Sequence, residues 1–144
     1  MTDTVTLEQA GTILFKHIFT IAPEAVALFN FGDLGGDFYA TPKFLAHATK
    51  VVKTVAVAVD GLSDVPALLP VLAGLGKRHV GYGVLPPHYD VVGRSLILTL
   101  GDALGDKLTP EVTAAWIAIY DIIKTTMMGD HYPEKVAKDT TTCC

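Results

Sequence analysis

The sequence predicts an all-α, single-domain fold, on three observations. Apolar residues recur at i, i+3, i+4 and i+7; the periodic segments are separated by Pro, Gly and Asp; and no two-residue hairpin turn joins alternating strands. A chain of 144 residues is long enough for one core and gives no reason for a second domain.

The first helix opens at Thr6, whose side chain can cap it with Gln9 answering three residues on. It runs through Leu14, Phe15, Ile18 and Phe19 to Ala22. Pro23 ends it and starts a short helix through Phe29. Residues 30–41 carry glycines at 32, 35 and 36 and read as a loop. At Thr41-Pro42 a cap and an N1 proline start a long helix, with Phe44, Ala48, Val51, Val52, Val55, Val59 and Leu62 on one stripe. The β-branched run Val55 to Val59 favours a strand locally, but a stripe of about five turns is too long for one. Another helix spans Val65 to about Val80, with Pro70 expected to kink or delay its start. Gly81 and Gly83 then loosen the chain before Pro86-Pro87 opens a helix through Val92, Leu96, Leu100 and Leu104. The last helix starts at Thr109-Pro110-Glu111 and ends near Gly129, where the sequence turns polar.

Composition excludes several function classes. A net charge of −4 with no basic run beyond Lys77-Arg78 offers nothing to a phosphate backbone, so nucleic acid is not an expected partner. Charge-free stretches such as Val65 to Gly76 fall short of the roughly 18 residues of a membrane span, and no basic-then-apolar leader opens the chain. The expected location is the cytoplasm. Cys143 and Cys144 adjoin one another at the end and close no loop. They read as exposed thiols on a fraying tail, with a lipid or intermolecular-disulfide anchor as the alternative. No nucleophile elbow, phosphate-cradling loop or carboxylate pair is present.

Two of the five histidines stand out by position. His47 falls between Phe44 and Val51 on the inward stripe of its helix, where a buried imidazole needs a polar partner. His79 lies near the end of its helix, behind Leu75 and ahead of the glycines. No Cys, Asp or Glu completes a zinc-type set around them, and two imidazoles among large apolar side chains suit haem. His17 and His131 are expected to be solvated, and His88, after two prolines, to cap or bond locally.

The segments GTILFKHIF, PEAVALF, TPKFLAHATKVV, LAGLGKRHVGYGV, YDVVGRSLILTL and LTPEVTAAWIAIYDII resemble the successive helices of animal neuroglobins, over about Gly11 to Met128. Phe29, His47, Val51, His79 and Trp116 match that family's signature positions in order. The resemblance implies a globin fold with helices B to H, the first helix, A, being missing or truncated. It divides the chain into a short N-terminal segment 1–10, a globin domain 11–129 and a flexible tail 130–144. It implies haem b as cofactor, with His79 as proximal and His47 as distal iron ligand. Phe29 packs on the porphyrin, Phe15 fills the distal cavity, and Leu75 lies beneath the ring. Val51, Val84, Tyr89, Val92, Tyr120 and Ile123 line the pocket, and Lys50 reaches a haem propionate. Tyr89 stands where the family has phenylalanine, so its hydroxyl needs a partner or solvent. The segment between Phe29 and His47 is shorter than in vertebrate neuroglobins and lacks cysteines, which excludes a redox disulfide there.

The function implied is reversible binding of O2, NO and CO at a six-coordinate haem in which His47 yields to the ligand. The alternatives are a haem redox enzyme (NO dioxygenase, nitrite reductase or electron transfer, served by a cellular reductase), a five-coordinate oxygen storage or transport globin, and a helical sensor without cofactor. A monomer and a homodimer are both compatible with the sequence.

Overall fold

The computed structural model describes residues 5–28 and 38–132, and within them every regular element is helical. Among the described residues are five α-helices, α1 (Leu7–Ile21), α2 (Pro42–Asp60), α3 (Val65–Gly81), α4 (Pro86–Leu104) and α5 (Pro110–Met128), with 3-10 turns at Pro23–Leu28, Phe38–Ala40, Gly61–Asp64 and Gly105–Lys107. Phe29, residues 30–37 of the expected loop, and the tail from 133 with Cys143 and Cys144 lie outside the described residues.

The caps are those expected. Thr6 Oγ1 accepts from Gln9 N–H while Gln9 Oε1 accepts from Thr6 N–H, closing a capping box. Thr41 and Thr109 cap α2 and α5 through the amides of Phe44 and Val112, each with proline following. Two local expectations are modified. The segment after Pro23 is a 3-10 turn, Pro23–Leu28, rather than an α-helix. Pro70 does not delay α3, which begins at Val65 on an Asp64 cap and continues unbroken through it. Pro70 and Pro66 are both exposed, so the carbonyl that loses its amide partner there faces water.

Side-chain size sets how closely the helices approach. A Cβ on Gly11 of α1 would stand 2.6 Å from the Ala48 carbonyl oxygen of α2, and one on Gly76 of α3 would stand 1.9 Å from that of Met127 in α5. Backbone packs on backbone at both crossings, and only glycine fits.

The buried core falls into two clusters. Leu14, Phe15, Ile18, Phe19, Phe44, Ala48 and Leu96 form the first, between α1, α2 and α4. Ala58, Leu68, Leu72, Tyr89, Ile123 and Met127 form the second, mainly between α3, α4 and α5. Within Pro42–Gly81 an 18-residue window reaches a mean hydropathy of 1.7, apolar enough by length and composition to cross a membrane, which the charge-free segments had not suggested. The stretch Pro42–Gly81 is folded as α2 and α3, meeting at the 3-10 turn Gly61–Asp64.

Candidate functional site: two half-buried histidines

The Thr41 cap fixes where α2 begins, and its periodicity then buries Phe44 and Ala48 completely. His47 is carried just beside that buried edge and is half-buried, its ring 5.5 Å from that of Phe15 at 61°. The imidazole is held below the ordinary histidine range, first by burial, then by the Lys50 ammonium and by His79. Of the other histidines, only His79 contributes to that lowering, and it does so less than burial or Lys50.

His79 sits in the last turn of α3. Its Nδ1–H donates to the Leu75 carbonyl at 2.8 Å, which fixes the tautomer and leaves the Nε2 lone pair available. The rings of Tyr82 and Tyr89 lie 5.6 Å and 6.4 Å from it. Burial lowers its pKa most, the Leu75 bond opposes this, and Arg78 adds to the lowering. Both histidines are therefore neutral at neutral pH, the state in which imidazole binds a metal.

The remaining expected residues divide between the two clusters. Phe15 belongs to the first, and Val51, Val92 and Tyr120 pack against it. Tyr89 and Ile123 belong to the second, with Leu75 and Val84 against it. Lys50 is exposed at the edge of α2, next to His47 in effect on charge. It also borders an open surface groove with Glu8, Pro42, Leu45, Ala46, Thr49 and Lys53, and neither histidine lines that groove.

Hydrogen bonds fix the frame around His79. Val84 N–H donates to the His79 carbonyl at 3.1 Å, and Tyr132 Oη–H donates to the Val84 carbonyl at 2.5 Å. Tyr120 Oη–H donates to the Tyr89 carbonyl at 2.6 Å. The Tyr89 hydroxyl itself is buried without a hydrogen-bond partner, and burial pushes its pKa well above the usual tyrosine range. Tyr132 escaped the sequence reading because the chain turns polar after Gly129; an aromatic residue in a polar run was the available signal. His17 is not simply solvated as expected, since its Nε2 meets Asp102 Oδ2 at 2.7 Å, tying α1 to the end of α4 across 85 residues of sequence.

The globin family profile matches residues 12–127, most of the chain and all five helices but the ends. The chain belongs to the globin family. This globin is 35% identical to a neuroglobin of Tetraodon nigroviridis over 120 residues, which cover 81% of its own length and 76% of that protein's. It is 34% identical to a neuroglobin of Chaenocephalus aceratus and 33% identical to one of Danio rerio, over the same shares. Membership makes it a haem-binding protein, and the donor set agrees. Haem iron arrives with four equatorial nitrogens and asks the protein only for axial ligands. A neutral imidazole is a donor of that kind, whereas among the described residues no three His, Cys, Asp or Glu side chains gather to hold a bare ion.

Proposed function

We propose that this globin holds haem b between α2 and α3, with His79 as proximal and His47 as distal iron ligand, and that it binds O2, NO and CO reversibly. The observation that carries this reading is the pair of half-buried, neutral imidazoles, His47 against Phe15 of one core cluster and His79 near Tyr89 of the other, in a chain of the globin family. When bound, haem supplies the iron that takes a diatomic ligand and undergoes redox chemistry.

The chain's own residues do the rest. The Leu75 carbonyl accepts the Nδ1 proton of His79, orients its ring and raises the basicity of Nε2. His47 competes with external ligands for the distal side. If the closed arrangement is favoured about 100-fold, apparent affinity falls by about 2.7 kcal/mol. Displaced, the same imidazole can donate a hydrogen bond to a polar diatomic ligand, a contribution of roughly 1.5–3 kcal/mol when the acceptor carries charge. Phe15 limits the room beside His47, and Lys50 stands at the rim where a propionate carboxylate would pair with it. Val51, Leu75, Val84, Tyr89, Val92, Tyr120 and Ile123 provide the apolar walls in this reading, and the cytoplasm is the proposed location.

The test is the visible spectrum of the reconstituted ferrous protein without external ligand. Sharp low-spin bands are expected, converting to a five-coordinate spectrum in His47→Leu. A single broad high-spin band in the unaltered protein overturns the distal assignment. His79→Ala should lose stable haem uptake, and unchanged haem content overturns the proximal one.

A further inference from the structure

The start of α4 is closed in an uncommon way. Pro86 and Pro87 occupy its first turn and carry no N–H, and Leu85 at the cap position has no side-chain acceptor. The donors left are the amides of Leu85 and His88, and the same two residues satisfy both. His88 N–H donates to the Leu85 carbonyl at 2.9 Å, and Leu85 N–H donates to His88 Nδ1 at 2.8 Å. Accepting at Nδ1 requires an imidazole that is neutral and protonated on Nε2.

This box terminates the loop that leaves His79. Tyr82 N–H and Val84 N–H both return to the His79 carbonyl, at 3.1 Å each, and Leu85 follows directly. Leu28, at the end of the 3-10 turn Pro23–Leu28, backs the same loop, its Cδ2 3.6 Å from where a Cβ on Gly83 would lie. Glu24 on that turn is the charged group acting on His88 from outside α4. Tyr89 is the titratable neighbour on α4 itself, while Asp90 is occupied by Lys124 at 2.9 Å.

We propose that His88 is a proton-operated cap, which when neutral closes α4 and holds the loop Tyr82–Leu85 against His79, and when protonated releases Leu85 N–H and pairs with Glu24. Protonation removes the acceptor lone pair from Nδ1 and puts a cation at the positive end of the α4 dipole, so the two arrangements exclude one another. Burial lowers the His88 pKa below its ordinary 6.5 and Glu24 opposes this, which sets the opening on the acid side of neutrality. In haem-loaded protein the opening frees Val84 and the carbonyl end of His79. That consequence rests on the haem reading, whereas the cap does not.

The experiment is hydrogen–deuterium exchange over 82–88 in the full-length chain, expressed as protection factors, with and without bound haem. Between about pH 7.5 and about pH 5.5, protection in the unaltered protein should fall roughly ten-fold. His88→Gln keeps an acceptor at every pH and should hold protection level, and His88→Ala should be unprotected throughout. Glu24→Gln should move the transition to lower pH. An equal fall in the unaltered protein and His88→Gln, or a transition that ignores Glu24→Gln, overturns the cap. In the haem-loaded protein, acid-induced haem release should be slower in His88→Gln than in the unaltered chain, and identical rates overturn the link to His79. If haem does not load, the haem reading fails while the exchange measured on the haem-free chain still decides the cap.

Discussion

The Tyr132 hydroxyl donates to the Val84 carbonyl at 2.5 Å, so the turn that follows α5 is fastened to the loop that follows His79. Val84 is bonded on its other side to the His79 carbonyl, and the three residues form one chain of contacts. Tyr132→Phe keeps the ring and removes the bond, leaving a carbonyl that solvent can reach only in part. A loss of about 1 kcal/mol in stability is expected by denaturant titration, with faster transfer of haem to a scavenging apoprotein. Unchanged haem transfer would limit Tyr132 to a packing role.

Tyr89→Phe should act in the opposite direction. Its hydroxyl is buried with no hydrogen bond of good geometry, and its weak interaction with the Tyr132 phenol, which donates to Val84, does not make up for its desolvation. Removing an unsatisfied buried group should stabilise the chain by about 1–2 kcal/mol. The check is a rise of several degrees in Tm at fixed haem occupancy.

Gly76→Ala should be severely destabilising. The new methyl would overlap the Met127 carbonyl oxygen, a backbone atom with no rotamer to escape through. α3 and α5 must separate, at a cost of roughly 3 kcal/mol or more. Circular dichroism melting and Soret absorbance on titration with hemin check it, and a variant with unaltered melting would contradict the close crossing.

Acid should destabilise the haem-free chain in a defined window. His47, His79 and His88 all have pKa values below the ordinary 6.5, so the folded chain holds fewer protons there than the unfolded chain. Stability is then complete above pH 6.5 and falls as pH drops toward the lowered folded values. Urea titrations across that range should give a rising stability that levels off near neutrality. His47→Leu should reduce the slope, and a profile flat from acid to neutral would contradict the burial of these imidazoles.

Most of the fold was legible because the signals were local. Thr6 with Gln9, Thr41 with Pro42 and Thr109 with Pro110 each declare a helix start within four residues, and the stripe from Phe44 to Val59 outweighs the strand preference of its valines. The places of His47 in α2 and His79 in the last turn of α3 were legible for the same reason, while their role at iron stays with the proposed function. The contacts that escaped are long in sequence or depend on a lone pair. Nothing near His17 announces Asp102, and nothing near Tyr132 announces the Val84 carbonyl. Pro70 misled because a proline breaks a helix by depriving a buried carbonyl, and this one deprives an exposed one.

The two core clusters share no buried side chain, and α2 and α4 are the rods that run through both. A molecule organised in this manner depends for its rigidity on whatever is wedged between its halves. On the proposed reading that wedge is haem, which would act as a keystone as well as a reagent. Depleting haem should therefore broaden unfolding into separable stages, with the lobe around Phe15 and Phe44 and the lobe around Leu72 and Met127 melting independently.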